Sequence, residues 1–193
     1  FTPGTLIETL RGPCPVEQIA CGDRLLTRDS GYQPVRWVGR RDLTAGNLAA
    51  NPALRPILIE RGALGPGRPD RDMMVSPQHR VLLSGGRTEL VAGESEVLAA
   101  AAHLVGHPGI RRVTVPGTSY IHFMFDRHEI VRSDGIWSES FQPGAASLDG
   151  MEDAQRDEIL ALFPELADPD RPDSYPAARL SLLRHEVRAV LGA

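Results

Sequence analysis

No asparagine follows Asn51. Backbone cleavage by cyclisation of an Asn side chain is therefore excluded across residues 52–193. Aromatic residues make up only 5% of the chain and the net charge is −4. The first leaves no base-stacking platform and the second no basic footprint, so nucleic acid is not an expected partner. Long apolar runs are missing too. The best, residues 97–105, is broken by His103 and falls far short of the ~20 residues that span a bilayer, so no membrane partner is expected. Cysteine is limited to Cys14 and Cys21. Their spacing is too wide for a CxxC redox or zinc motif, and two cysteines do not make a disulfide scaffold. They read as small buried or half-buried structural thiols. No signal-peptide pattern opens the chain and Phe1 has no Met before it, so the chain reads as a fragment or processed product. Its cellular address is left open, secretion as part of a larger protein being one option.

What is present suits an ordinary globular protein of 193 residues, with 41% hydrophobic and 24% charged residues. That length fits one domain with an appendage. Residues 1–145 read as mainly β. Short β-branched runs at 5–9, 24–27, 35–38, 56–59, 73–75, 80–83 and 113–115 alternate with turn signals at Gly12-Pro13, Ser30-Gly31 and Gly85-Gly86. Residues 62–72 form a Gly/Pro-rich loop, and 94–104 carry helix formers that predict one short helix. After Gly144 the pattern changes. Apolar spacing predicts a helix over 151–166, an acidic Pro-rich break over 168–173, and a second helix from Pro176 to about Leu191, ended by Gly192. Residues 146–193 are thus expected to form a helical extension packed on the β domain.

Three segments carry candidate chemistry. The first is Phe1-Thr2-Pro3-Gly4-Thr5-Leu6-Ile7, continuing to Gly22-Asp23. The second is Val75-Ser76-Pro77-Gln78-His79-Arg80. The third runs from Tyr120 to Phe141 and holds His122, Asp126, His128, Asp134 and Gly135. As one strand over 120–130, the third would put Tyr120, His122, Met124, Asp126, His128 and Ile130 on one face, with Phe123 and Phe125 in the core. His122, Asp126 and His128 would then converge on one site. A carboxylate beside an imidazole raises its pKa and favours the acid form. Glu139 is a further candidate. His103, His107 and His185 read as structural or solvated residues.

In order and spacing these segments resemble the Hint (Hedgehog/intein) superfamily over about residues 1–142. The Phe1 segment is similar to its N-terminal splicing block without the leading Cys. The Val75–Arg80 segment is similar to its T-x-x-H block, with Ser76 in the Thr place and His79 in the His place. The Tyr120–Phe141 segment resembles a later block ending H-x-[FIV]-[VI]-x-x-[DN]-G, met by His128, Ile130, Val131, Asp134 and Gly135. The resemblance implies a horseshoe-like β fold, here with a two-helix appendage, and a single-turnover self-cleaving activity without cofactor. A Cys preceding Phe1 would attack the carbonyl before it and convert an amide to a thioester, which is then hydrolysed or transferred. The substrate would be the chain's own N-terminal passenger. His79 would protonate the leaving nitrogen and Ser76 would orient the scissile peptide. Asp126 or His128 would handle the thiol or amine proton. Inteins end in His-Asn; Ser138-Glu139-Ser140-Phe141 stands there instead, so full splicing is not expected. Without the Cys, the chain that begins at Phe1 is expected to be silent. Two other readings remain open from the residues: a metal-binding hydrolase using His122, Asp126 and His128 with His79, and a non-catalytic binding module.

Overall fold

The computed structural model describes residues 1–143, 160 and 175–192. The predicted helix over 151–166 lies outside the described residues except for Leu160. In chain order the elements are β1 (Leu6–Thr9), β2 (Gly12–Pro15), β3 (Arg24–Thr27), β4 (Gly31–Pro34), β5 (Trp37–Thr44), α1 (Ala45–Ala50), β6 (Ile57–Ile59), β7 (Met73–Val75), β8 (Arg80–Ser84), α2 (Gly86–Ala92), β9 (Glu96–Ala100), α3 (Ala101–Leu104), β10 (Ile110–Arg112), β11 (Gly117–Met124), β12 (Ile130–Ser133), β13 (Ile136–Glu139) and α4 (Arg184–Leu191). An eight-stranded sheet runs β2-β1-β3-β12-β13-β8-β9, with β4 on β3. A three-stranded sheet runs β10-β6-β7, and β5 pairs with β11. The mainly β expectation holds.

Local chemistry explains the joints. Asp134 and Gly135 both take positive φ, 42° and 79°, as a two-residue hairpin turn between β12 and β13 requires. The Asp134 carboxylate then accepts the Leu6 N–H (3.0 Å) while its own N–H donates to Leu6 O (2.9 Å). The turn of the third segment is thereby tied to the first. At α1, the Asn47 N–H donates to Thr44 Oγ1 and the Thr44 N–H to Asn47 Oδ1, a reciprocal cap that starts the helix after a long strand.

Four sequence expectations change. Residues 94–104 form β9 followed by a single helical turn, not one helix. An apolar run this short fits either state, and here pairing with β8 decides it. Residues 113–115 lie just outside β10. The segment after Pro176 begins extended: the Leu98 N–H donates to Leu180 O and the Leu182 N–H to Leu98 O, each at 2.8 Å. Only Arg184–Leu191 is helical, which leaves Leu180 and Leu183 51% and 61% exposed. Leu182, Val187 and Val190 enter the main core beside Phe1, Val81, Val97 and Phe123. Each such side chain stabilises the docked tail by about 1.5–3 kcal/mol. Cys14 is half-buried, whereas Cys21 is exposed and both thiols are free, so the buried reading fails for Cys21.

Candidate functional site

Phe1 is the centre of the arrangement. It is only 2% exposed. Its α-amino group donates to Ile121 O (3.0 Å) and its carbonyl accepts the Ile121 N–H (2.9 Å), so it lies against β11 as a further strand residue would. Its ring stacks on Phe123 with centroids 5.4 Å apart. Thr2 is anchored next door, its hydroxyl donating to Met74 O at 2.8 Å. Desolvation pushes the Phe1 amine down to about 5, against the opposing pull of Glu139. This position disfavours charge.

His79 sits across from it. Ser76-Pro77-Gln78-His79 forms a tight turn in which the His79 N–H donates to Ser76 O (3.1 Å). The Ala101 N–H donates to His79 O and the Ala102 N–H to Pro77 O, both at 2.9 Å, pinning the turn to the start of α3. Pro77 preconfigures the turn and β8 leaves it at Arg80. The His79 ring is 7% exposed, and its Nε2 is buried without a hydrogen-bond partner. Burial above all holds its pKa well below the ordinary histidine value, helped by the positive Phe1 terminus, His122, Arg80 and His128.

A cavity of about 580 Å³ opens beside these groups, lined by Phe1, Ser76, His79, His103, His122 and Glu139 among others. His122 projects from β11 opposite Gly39, half-buried with its ring edge-on to Phe141. Burial, the Phe1 terminus and Arg41 lower it to about 3. His128 lies behind Glu139. Its Nδ1 accepts the Ala178 N–H (3.0 Å). The proton therefore belongs on Nε2, which faces Ser140 O at 3.2 Å and Glu139 Oε2 at 3.4 Å. Glu139 accepts the Arg80 N–H on Oε1 (2.8 Å). Its Oε2 forms an ion pair with Arg80 Nε at 2.8 Å, yet receives no aligned hydrogen bond.

The expected convergence of His122, Asp126 and His128 is only partial. β11 stops at Met124, so the period-two alternation ends before Asp126. Asp126 is 70% exposed and paired with Arg36 at 3.1 Å, away from the cavity. Among the described residues no group of three or more His, Cys, Asp or Glu is disposed to hold a metal ion, and the proposed hydrolase ligand set is not assembled. His103, read from the sequence as structural, instead lines the cavity with its Nδ1 buried and unpartnered. Sequence reasoning also missed Arg80, although its position next to His79 was a usable signal. The contribution of the tail, through Ala178 to His128 and through Ser181 to Arg80, had no local signal at all.

Among solved structures the chain is similar to the MchDnaB-1 intein in its N145AA form (16% identity, 73% of this chain and 100% of that one, TM-score 0.46). It is also similar to a bacterial intein-like domain from Clostridium thermocellum (13% identity, 73% and 97%, TM-score 0.44). A third similar structure is a splice-inactive variant of the AceL NrdHF class 3 split intein (16% identity, 73% and 96%, TM-score 0.44). No curated protein matches the chain. The family model described as Hint domain matches residues 1–145. With that match over most of its length, on a β framework that gathers Phe1, Ser76 and His79 at one cavity, the chain belongs to the Hint domain family.

Proposed function

We propose that this domain processes its own precursor by cleaving the peptide bond before a nucleophilic residue directly preceding Phe1, through an N-to-S acyl shift, and that it releases the passenger without splicing. The observation that carries this reading is the two-way pairing of Phe1 with Ile121. Phe1 lines the same cavity as His79 and Ser76, which supports a reading in which the peptide before Phe1 lies beside them.

In this reading a Cys thiol attacks the carbonyl of the residue before it, and the amide nitrogen of that Cys departs. His79, held neutral by burial, takes the thiol proton first. As an imidazolium of low pKa it is then a strong acid, well suited to protonating the departing nitrogen. The Ser76 hydroxyl is suited to orient the peptide or to donate to the oxyanion, a contribution of about 3 kcal/mol per donor. The depressed basicity at Phe1 fits a site built around a neutral peptide N–H. The lack of Asn beyond residue 51 removes the cyclisation that would complete splicing. Thioester hydrolysis or transfer remains as the second step.

The test is a full-length precursor bearing its natural upstream sequence. Thiol-induced cleavage directly before the residue preceding Phe1, lost in His79→Ala, is the expected result. An encoded residue other than Cys, Ser or Thr at that place, or a precursor that stays intact with thiol, would overturn the reading.

A further inference from the structure

We propose that the C-terminal segment 175–182, which lies outside the Hint match, is a working part of the cleavage site. Ala178 and Ser181 are its positioning residues and hold the turn that carries His79. The inference rests on the autoprocessing reading above. It starts from how little aims the His79 ring. Its Nε2 is buried without a hydrogen-bond partner, so no bond at that nitrogen fixes its direction, and the backbone must do so instead. On one flank the Ala101 and Ala102 N–H groups hold the turn to α3. On the other flank the turn runs into Arg80, and Arg80 is where the tail converges.

Every nitrogen of the Arg80 guanidinium is engaged. Nε pairs with Glu139 Oε2 (2.8 Å), Nη2 donates to Gln142 Oε1 (2.9 Å) and Nη1 donates to Ser181 Oγ. Gln142 is in turn held by the tail, its Nε2 donating to Tyr175 O (3.2 Å). The Arg80 main chain is fixed as well, its N–H donating to Glu139 Oε1. Behind Glu139 stands the fully buried His128 ring, whose Nδ1 accepts the Ala178 N–H (3.0 Å). Three tail residues therefore reach Arg80, directly or through one or two side chains, and Arg80 is the chain neighbour of His79.

The tail is itself firmly seated. The buried Tyr175 hydroxyl donates to Phe125 O (3.0 Å), two backbone bonds join the segment to Leu98 of β9, and Leu182 enters the core with Phe1. Ser181 and Leu182 also line the cavity that holds Phe1, Ser76 and His79. A general acid acts only within hydrogen-bond reach of the proton it moves, and misplacing a catalytic group by about 1 Å costs on the order of 10²-fold. Supports that set where the His79 turn stands therefore act on rate as well as on stability.

The experiment uses the full precursor with Ser181→Ala, Ser181→Thr and Ala178→Pro. The first deletes one exposed hydroxyl, the second keeps it, and the third removes the N–H that meets His128. Thiol-induced cleavage rates are read beside amide exchange at Leu98 and Leu182, whose protection reports that the tail stays docked. Ser181→Ala is expected to slow cleavage about 10-fold, the scale of mutations along a contact network, with those amides still protected. Ser181→Thr should restore the rate. Ala178→Pro should slow cleavage by about 10²-fold. A wild-type rate in either variant removes that residue from the proposal, and wild-type rates in both overturn it, since a purely structural strap leaves the chemistry untouched while docked. Should Ala178→Pro fail to fold, the Ser181 pair decides. A wild-type precursor that stays intact with thiol sinks the autoprocessing reading instead. The positioning role is then judged on the His79 ring resonances, which sense the neighbouring Phe1 ring. A shift in Ser181→Ala that Ser181→Thr reverses supports it, and unchanged resonances refute it.

Discussion

The rings of Phe1 and His79 lie 4.3 Å apart, centroid to centroid, at an interplanar angle of 58°. The first residue of the chain thus packs directly on the imidazole of the turn that precedes β8, and its ring also stacks on Phe123. Packing and chemistry share one contact here. Phe1→Ala should cost roughly 3–5 kcal/mol, as large aromatic truncations in cores do, read by urea denaturation. It should also slow thiol-induced cleavage, because His79 loses its neighbour. Phe1→Leu should recover much of the stability.

Acid should weaken the fold. The Phe1 amine is lowered to about 5, and His79 and His122 are also lowered. Each is a cation that the folded state sheds more readily than the unfolded one. The unfolded chain therefore binds more protons, and stability rises with pH. For Phe1 the window runs from about 5 to 8. Glu129 and Asp134 are raised by burial and act oppositely, lowering stability as pH rises above their ordinary carboxylate values. Thermal melts should give a midpoint climbing from pH 5 to 8. A precursor in which Phe1 is internal should lose the part of that rise above the histidine range. A flat profile in the chain beginning at Phe1 would contradict the burial argument.

Asp126 should be dispensable. It is 70% exposed and its Arg36 partner is 51% exposed, a kind of pair worth at most about 1 kcal/mol. Asp126→Asn should leave cleavage rates unchanged in the same precursor assay. A large loss would return Asp126 to the site.

The tail should report on the site. The Arg179 guanidinium binds Glu96 Oε2 at 2.8 Å and Asp29 Oδ1 at 2.8 Å, clamping the extended segment to β9. Arg179→Ala should speed hydrogen exchange at the Leu98 and Leu182 amides. It should also disturb the Nε2–H tautomer that Ala178 imposes on His128, visible as a shift of the His128 ring ¹⁵N resonances. Exchange rates equal to wild type would show the clamp to be idle.

Gly135 should not tolerate a side chain. Its φ is +79°, and a Cβ would lie 2.7 Å from Asp70 Oδ2. Gly135→Ala should cost more than about 1 kcal/mol, measured by chemical denaturation.

The sequence by itself determined the residues whose chemistry is local. The Ser76-to-His79 turn and the strand runs at 73–75 and 80–83 on either side of it follow from backbone preferences that operate within a few residues. The missing Asn beyond Asn51 limits the chemistry without any structure. Tertiary structure alone decided the rest, because long-range pairing sets it. Residues 94–104 became strand because β8 was there to pair with. Residues 180–182 stayed extended because Leu98 offered a free edge. Asp126 left the site because β11 ended two residues before it. His103 and Glu139 joined the site because α3 and β13, distant in sequence, border one cavity with Phe1. No periodicity in a single segment encodes that meeting, since it depends on how separate segments pack.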